Sequence, residues 1–184
     1  MKTLIVALAL VATPVFAAAP KPLYTYVDPM VGVGNDNQGD TVPGPALPHG
    51  SIHPSPETLT GSNAGYDPKA ELSGFAQLHT QGSGGITTYG TFLISPQIGD
   101  PVFDEAKHTS PKTGESAAAD LYAVTLSRYN IKAEVSPAHY AAMYRFTFPE
   151  NGQSDIVVDI TRKILGVTAS DNAEVTSGAN IALL

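Results

Sequence analysis

The chain of 184 residues carries 17 acidic and 10 basic side chains for a formal charge of −7, with no cysteine and no tryptophan. Only 15% of its residues are charged, against about 25% in ordinary soluble domains, and Lys69 is the only Lys or Arg between Leu23 and Ala106. That excludes the cation density needed to displace counterions from nucleic-acid phosphates or to hold an anionic membrane surface, while the lack of Cys excludes disulfide scaffolds, thiolate metal sites and cysteine nucleophiles.

The start of the chain reads as an export address. Lys2 precedes an apolar run, Leu4–Val15, and Val15-Phe16-Ala17 offers the small and branched residues that a signal peptidase reads. Residues 1–19 are therefore expected to be a secretory signal and residues 20–184 a single domain. The apolar run is shorter than the ~20 residues a spanning helix needs, so no membrane partner is expected. Export without cysteine fits a bacterial periplasmic or secreted protein that needs no oxidative folding.

From Tyr24 to Pro101 the sequence is dense in Gly, Pro, Asn and Thr, with only short apolar pieces such as Thr91-Phe92-Leu93-Ile94. The stretch from Glu115 to Leu121 is expected to form one or two helical turns. From Leu121 onward the pattern is that of strands. Ile131, Ala133 and Val135 alternate with Lys132 and Glu134, the two-residue period of a half-buried strand. Tyr144, Phe146 and Phe148 alternate with Arg145 and Thr147, and Ile156, Val158 and Ile160 form a third strand, expected to be more deeply buried. Turn signals at Ser136-Pro137, Pro149-Glu150-Asn151-Gly152 and Arg162-Lys163 separate them. Short β-branched runs parted by turns predict an all-β fold, an antiparallel β-sandwich. The apolar run Gly178–Leu184 starts another strand and stops, so C-terminal strands of the sandwich are expected to be missing.

Most short motifs carry no chemistry. Gly32-Val33-Gly34 has Asn37 where a dinucleotide loop needs its third glycine. Gly82-Ser83-Gly84-Gly85 precedes a strand-like run, Ile86–Ile94, so no helix dipole would add to it. His49 and His53 have the spacing of a helical zinc pair, but Pro48, Pro54 and Pro56 forbid the helix. Asp36, Asn37 and Asp40 lack the closing Glu of a calcium loop. Asp67, Glu71, Asp100, Asp104 and Glu105 supply carboxylates without marking any two as a glycosidase pair, so no catalytic residue and no metal ligand is assigned. The front half does hold side chains suited to neutral, hydroxyl-rich ligands: Asn63, Tyr66, Gln77, His79 and Gln81 donate and accept hydrogen bonds without charge, and Tyr66 or Tyr89 has a ring to lay against a sugar.

Longer segments resemble a family. Tyr26-Val27-Asp28-Pro29-Met30-Val31-Gly32, Gly39-Asp40-Thr41-Val42-Pro43-Gly44-Pro45 and Pro48-His49-Gly50-Ser51-Ile52-His53-Pro54-Ser55-Pro56-Glu57-Thr58 occur in the order found at the opening of glycoside hydrolase family 92, the exo-acting α-mannosidases. So do Ala64-Gly65-Tyr66, Ser73-Gly74-Phe75-Ala76-Gln77-Leu78-His79, Gly82 to Gly85, Tyr89-Gly90 and Leu93-Ile94-Ser95-Pro96, and later Asp155-Ile156-Val157-Val158-Asp159-Ile160-Thr161. The resemblance implies an N-terminal β-sandwich of an exported α-mannosidase-like glycoside hydrolase that acts on α-mannoside glycans. It implies a partner, a C-terminal catalytic helical-toroid domain of the same polypeptide, that carries the acid and base carboxylates and a calcium ion. Calcium is thus expected in the full-length enzyme, with none bound by this fragment, and the fragment alone is expected to be inactive. Carried over by position, the substrate-facing residues are Tyr66, Gln77, His79 and Gln81. The chain departs from the family in having Gln77 where the first of two histidines is common, and Val33-Gly34-Asn35-Asp36-Asn37-Gln38 where a Gly-rich, His-bearing run is usual. A non-catalytic carbohydrate-binding module and a purely structural docking domain remain as alternatives.

Overall fold

Regular structure in the computed structural model, which describes residues 20–33, 41–59, 65–79, 92–150, 152–160 and 162, consists of strands and two short 3-10 turns. The strands in chain order are β1 (Ser55–Thr58), β2 (Leu72–Ala76), β3 (Leu93–Ile98), β4 (Lys112–Ala117), β5 (Tyr122–Leu126), β6 (Ile131–Pro137), β7 (Ala142–Thr147) and β8 (Ser154–Asp159). They form two four-stranded antiparallel sheets, β1-β2-β3-β8 and β4-β5-β6-β7, the sandwich that the alternation predicts. Among the described residues no helix is long and apolar enough to cross a membrane.

The second sheet is a meander, each strand paired with the next in sequence. Its inward residues are those the two-residue period selects: Tyr122, Val124 and Leu126 from β5, and Ile131, Ala133 and Val135 from β6. Tyr144, Phe146 and Phe148 pack against this core from the edge. Phe75 of β2 joins the sheets. Its ring meets Tyr122 edge-on at 6.5 Å, Tyr144 at 6.4 Å and Phe146 at 5.9 Å, separations at which aromatic pairs add attraction beyond their buried area.

β1, β2 and β3 of the first sheet are buried on both faces, so their sequences do not alternate. The register shifts between Glu57 and Thr58, pairing Glu57 with Gly74 and Thr58 with Leu72 and leaving Ser73 unpaired. Such a bulge lets Leu72 and Phe75 both enter the core. On the opposite face, the Gln97 side chain donates to the Ser95 hydroxyl (3.1 Å) and the Val102 carbonyl (3.0 Å) and accepts from the Val102 N–H (2.8 Å), fastening the segment after β3 over the sheet. Close approach explains two glycines. A Cβ on Gly74 would lie 2.8 Å from both the Ile94 carbonyl oxygen and Leu93 Cγ, and one on Gly44 would lie 1.8 Å from the Pro54 carbonyl oxygen, where the buried Val42–Pro45 strap crosses the chain entering β1.

Three features differ from expectation. Glu115, Ser116 and Ala117 complete β4 instead of a helical turn, and the Ala118 N–H donates to the Leu121 carbonyl at 2.8 Å to close the hairpin into β5. The Gly- and Pro-rich front half supplies three strands of the first sheet. β8 is not deeply buried: Ile156 is 54% and Val158 36% exposed, because β8 is the end strand of its sheet and has β3 alone as its described neighbour. Gly82–Gly85, the Ile86–Thr91 stretch, Asp36, Asn37, Asp40 and Gly178–Leu184 lie outside the described residues.

On the outer face of the meander, Glu134 lies between Arg145, whose Nε donates at 2.6 Å, and Lys132, whose Nζ donates at 2.9 Å. The Arg145 guanidinium first, and Lys132 second, hold the Glu134 carboxyl down to about 2, from an ordinary 4.5. A carboxyl with a lowered native pKa stabilises the fold above its unfolded value and loses that contribution as pH falls toward the native one. Stability should therefore decline between about pH 4.5 and 2, and urea titrations at stepped pH should find that decline shallower in Glu134→Gln. Gly74→Ala should cost about 1–3 kcal/mol through overpacking, read from the urea midpoint, whereas Gly152→Ala, with nothing within 4 Å of the added Cβ, should leave it nearly unchanged.

Candidate functional site

The outer face of the first sheet carries a buried polar layer beside the segment Gln77–His79. Glu57 reaches it from β1, Glu105 from the 3-10 turn Glu105–Lys107, and Arg162 from the chain beyond β8. Asp104 caps that turn by accepting from the Ala106 N–H at 3.1 Å. Arg162 donates from Nε to Glu105 Oε2 (3.0 Å), from Nη2 to Glu105 Oε1 (2.9 Å) and from Nη2 to Glu57 Oε2 (3.2 Å). Burial works against the Arg162 charge, but the two carboxylates outweigh it and push its pKa up. The Ser73 hydroxyl, freed by the bulge, donates to Glu105 Oε1 at 2.7 Å. His108 stands between the Val102 carbonyl (2.9 Å) and the Ser73 carbonyl (2.8 Å).

His79 adjoins this layer and is only 6% exposed. Its Nδ1 lies 3.0 Å from the His53 carbonyl oxygen and its Nε2 lies 2.6 Å from Glu57 Oε1, so both ring nitrogens are engaged inside the domain. The His53 ring is bonded to the Gly44 carbonyl oxygen at 2.9 Å, and its pKa is lowered, chiefly by burial. Gln77 is half-buried. Its carbonyl accepts from the His53 N–H at 3.1 Å, while no hydrogen bond reaches its side-chain amide from the described residues. Gln81, Asn63 and Tyr89 lie outside the described residues.

Tyr66 is fully buried and belongs to a second polar cluster. Its hydroxyl donates to Glu115 Oε1 and accepts from Lys112 Nζ, which lies 4.2 Å from the centre of the Tyr66 ring and 3.3 Å from Glu115 Oε2. The Tyr122 hydroxyl donates to the same Glu115 oxygen at 2.6 Å. Burial first, then Glu115, push the Tyr66 hydroxyl well above the usual tyrosine range, and burial does the same for Tyr122. Burial also draws the Lys112 ammonium down, opposed by Glu115.

The structure thus brings His79 and Gln77 together and keeps Tyr66 apart, in the cluster with Lys112. The carboxylates it gathers, Glu57 and Glu105, are tied to one guanidinium and are not poised across an open space for acid and base work. Among the described residues no group of three or more His, Asp or Glu is arranged to hold a metal ion. Sequence reasoning missed Glu57, Glu105 and Arg162 as partners. Glu57 and Arg162 stand 105 residues apart, and no local pattern links them.

Residues 26–181 match the glycosyl hydrolase family 92 N-terminal domain. An uncharacterized secreted glycosidase of Arthroderma benhamiae is 30% identical over 152 residues, 74% of this chain and 19% of that protein. A family GH92 α-mannosidase of Bacteroides thetaiotaomicron, solved in complex with mannoimidazole, superposes with a TM-score of 0.69 and 32% identity, over 77% of this chain and 20% of its own. A family GH92 inverting mannosidase from Bacteroides thetaiotaomicron VPI-5482 shares the fold at 23% identity and a TM-score of 0.57, over 76% of this chain and 20% of its own. The chain therefore spans about a fifth of the length of these relatives.

The Tyr66 hydroxyl both accepts from Lys112 and donates to Glu115, so Tyr66→Phe leaves two charged groups short of a partner. It should lower stability by about 1–3 kcal/mol in urea unfolding without loss of strand content by circular dichroism.

Proposed function

This chain belongs to glycosyl hydrolase family 92, matching its N-terminal domain over residues 26–181, and on that premise we propose that it is the β-sandwich of an exported α-mannosidase-like hydrolase. In this reading it lends loops to a sugar pocket whose reactive carboxylates stand on a larger C-terminal part of the same polypeptide. The observation that carries the reading is the combination of family match and charge arrangement. The match covers most of the chain, the relatives are about five times as long, and Glu57 and Glu105 are both bonded to Arg162 inside the domain.

The substrate class is an α-mannoside, supported by the relatives solved as α-mannosidases. Gln77 is the side chain best suited to touch it, since no described residue bonds its half-buried side-chain amide, which sits beside the exposed Leu78. Gln81 follows on the same segment. To Tyr66 and His79, whose polar atoms are bonded inside the domain, we assign the holding of that wall. The calcium ion implied by the resemblance we assign to the C-terminal part. Hydrolysis needs an acid to protonate the leaving oxygen and a base or nucleophile on the opposite side. This domain's share is to orient the sugar, which acts on the rate through positioning.

Purified residues 20–184 should give no turnover of an aryl α-mannoside in the presence of calcium; turnover at the level of a complete homologue overturns the proposal. In the complete enzyme, Gln77→Ala should lower kcat/KM about threefold to tenfold, the worth of one neutral hydrogen bond. Unchanged kinetics would favour the reading that this sandwich serves only to dock.

A further inference from the structure

The buried polar layer forms one continuous chain of contacts: Ser73 to Glu105, Glu105 to Arg162, Arg162 to Glu57, Glu57 to His79, and His79 to the His53 carbonyl. Among the described residues its carboxylates outnumber its arginine. Glu57 and Glu105 bring two negative charges and Arg162 one positive charge into a region where Glu57 is 3% and Arg162 9% exposed. An uncompensated charge at such depth is strongly unfavourable. Two rings of the layer, His79 and His108, face acceptors with both nitrogens, and His79 is the one set against a carboxylate. Both atoms facing its ring nitrogens are acceptors, a backbone carbonyl at 3.0 Å and a carboxylate at 2.6 Å, and only a ring with hydrogens on both nitrogens donates to both. Arg162 donates to the other Glu57 oxygen, so both oxygens of that carboxylate serve as acceptors.

We propose that Glu57 is a positioning residue that holds His79 as an imidazolium, and that this ion pair fixes the segment Gln77–His79 against the chain entering β1. Among the described residues, the other histidine rings near it face backbone carbonyls and no carboxylate. The His53 ring bonds to the Gly44 carbonyl, and His108 bonds to the backbone carbonyls of Val102 and Ser73. The segment is anchored at two points, the His79 ring on the His53 carbonyl and the His53 N–H on the Gln77 carbonyl at 3.1 Å. A change in the ring's charge therefore reaches the amide of Gln77. The functional consequence rests on the reading of Gln77 as a sugar contact, while the protonation and anchoring do not.

Nitrogen-15 NMR of the histidine rings in the 184-residue chain tests the proposal directly. Wild type should carry a hydrogen on both His79 nitrogens. Glu57→Gln sets a neutral amide where the carboxylate faced Nε2, so His79 should lose one ring hydrogen. The His53 amide should then exchange about tenfold faster or more, while the Val124 and Ala133 amides keep their protection. A wild-type ring with a single hydrogen overturns the proposal, and that measurement needs no variant. So does a folded Glu57→Gln chain with both hydrogens retained and His53 exchange unchanged. The complete enzyme scores the sugar reading separately. If Glu57→Gln releases the His53 amide yet leaves kcat/KM on an aryl α-mannoside unchanged, the positioning role stands and the assignment of Gln77 to the pocket falls.

Discussion

Arg162 between Glu57 and Glu105 is the contact on which the first sheet depends. A sheet with both faces covered must place something other than water against each. Here one face meets the aromatic core through Phe75 and the other meets charged groups. Removing a guanidinium from between two buried carboxylates leaves charge that neither solvent nor protein compensates, a loss commonly of several kcal/mol. The polar layer is therefore as much a condition of the fold as the apolar one. It also ties the chain end to end, since the cation arrives after β8 and its carboxylates come from β1 and from the segment before β4.

The two sheets differ in how they are built. β4 to β7 form a meander of neighbours in sequence, stabilised by cross-strand pairs that need little loop closure. β1, β2 and β3 come from the front of the chain, and β8 joins them only after the whole meander has been traversed. Phe75 makes the two assemblies one body, because its ring touches β5 and β7 at once. The residue beside it must be glycine, since any Cβ at position 74 would strike the neighbouring strand. One dipeptide thus sets both the spacing within the first sheet and the contact between sheets.

β6 and β7 of the meander were legible in the sequence because one face of that sheet is wet, whereas β4 was not. In β6, Ile131, Ala133 and Val135 are buried while Lys132 points outward, and the two-residue period follows. β1 was not legible. Ser55-Pro56-Glu57-Thr58 is buried on both faces and polar on one, so no alternation survives. β8 does alternate, but its period reveals which residues share a side and not whether anything lies over that side. The same limit governs the site. Tyr66 and His79 are recognisable as hydrogen-bonding side chains, yet their partners Glu115 and Glu57 lie 49 and 22 residues away and are fixed only by the sheets. The order of motifs along the chain escaped this limit, because shared descent preserves it without any need to compute contacts.

Pro96 within β3 has an effect that extends beyond its own strand. Stepping by two along the antiparallel pair Phe75–Ile94 puts Ser73 across from Pro96, and a proline ring has no amide hydrogen to give. The Ser73 carbonyl instead takes its hydrogen from His108, an imidazole 35 residues further on. Leu72, next to the gap, exchanges both backbone bonds with Ser110, at 2.9 and 2.8 Å. A missing rung in one ladder has thereby become a corner. The backbone of the first sheet is stitched to the threshold of the second at the place where a continuous ladder would have kept them separate.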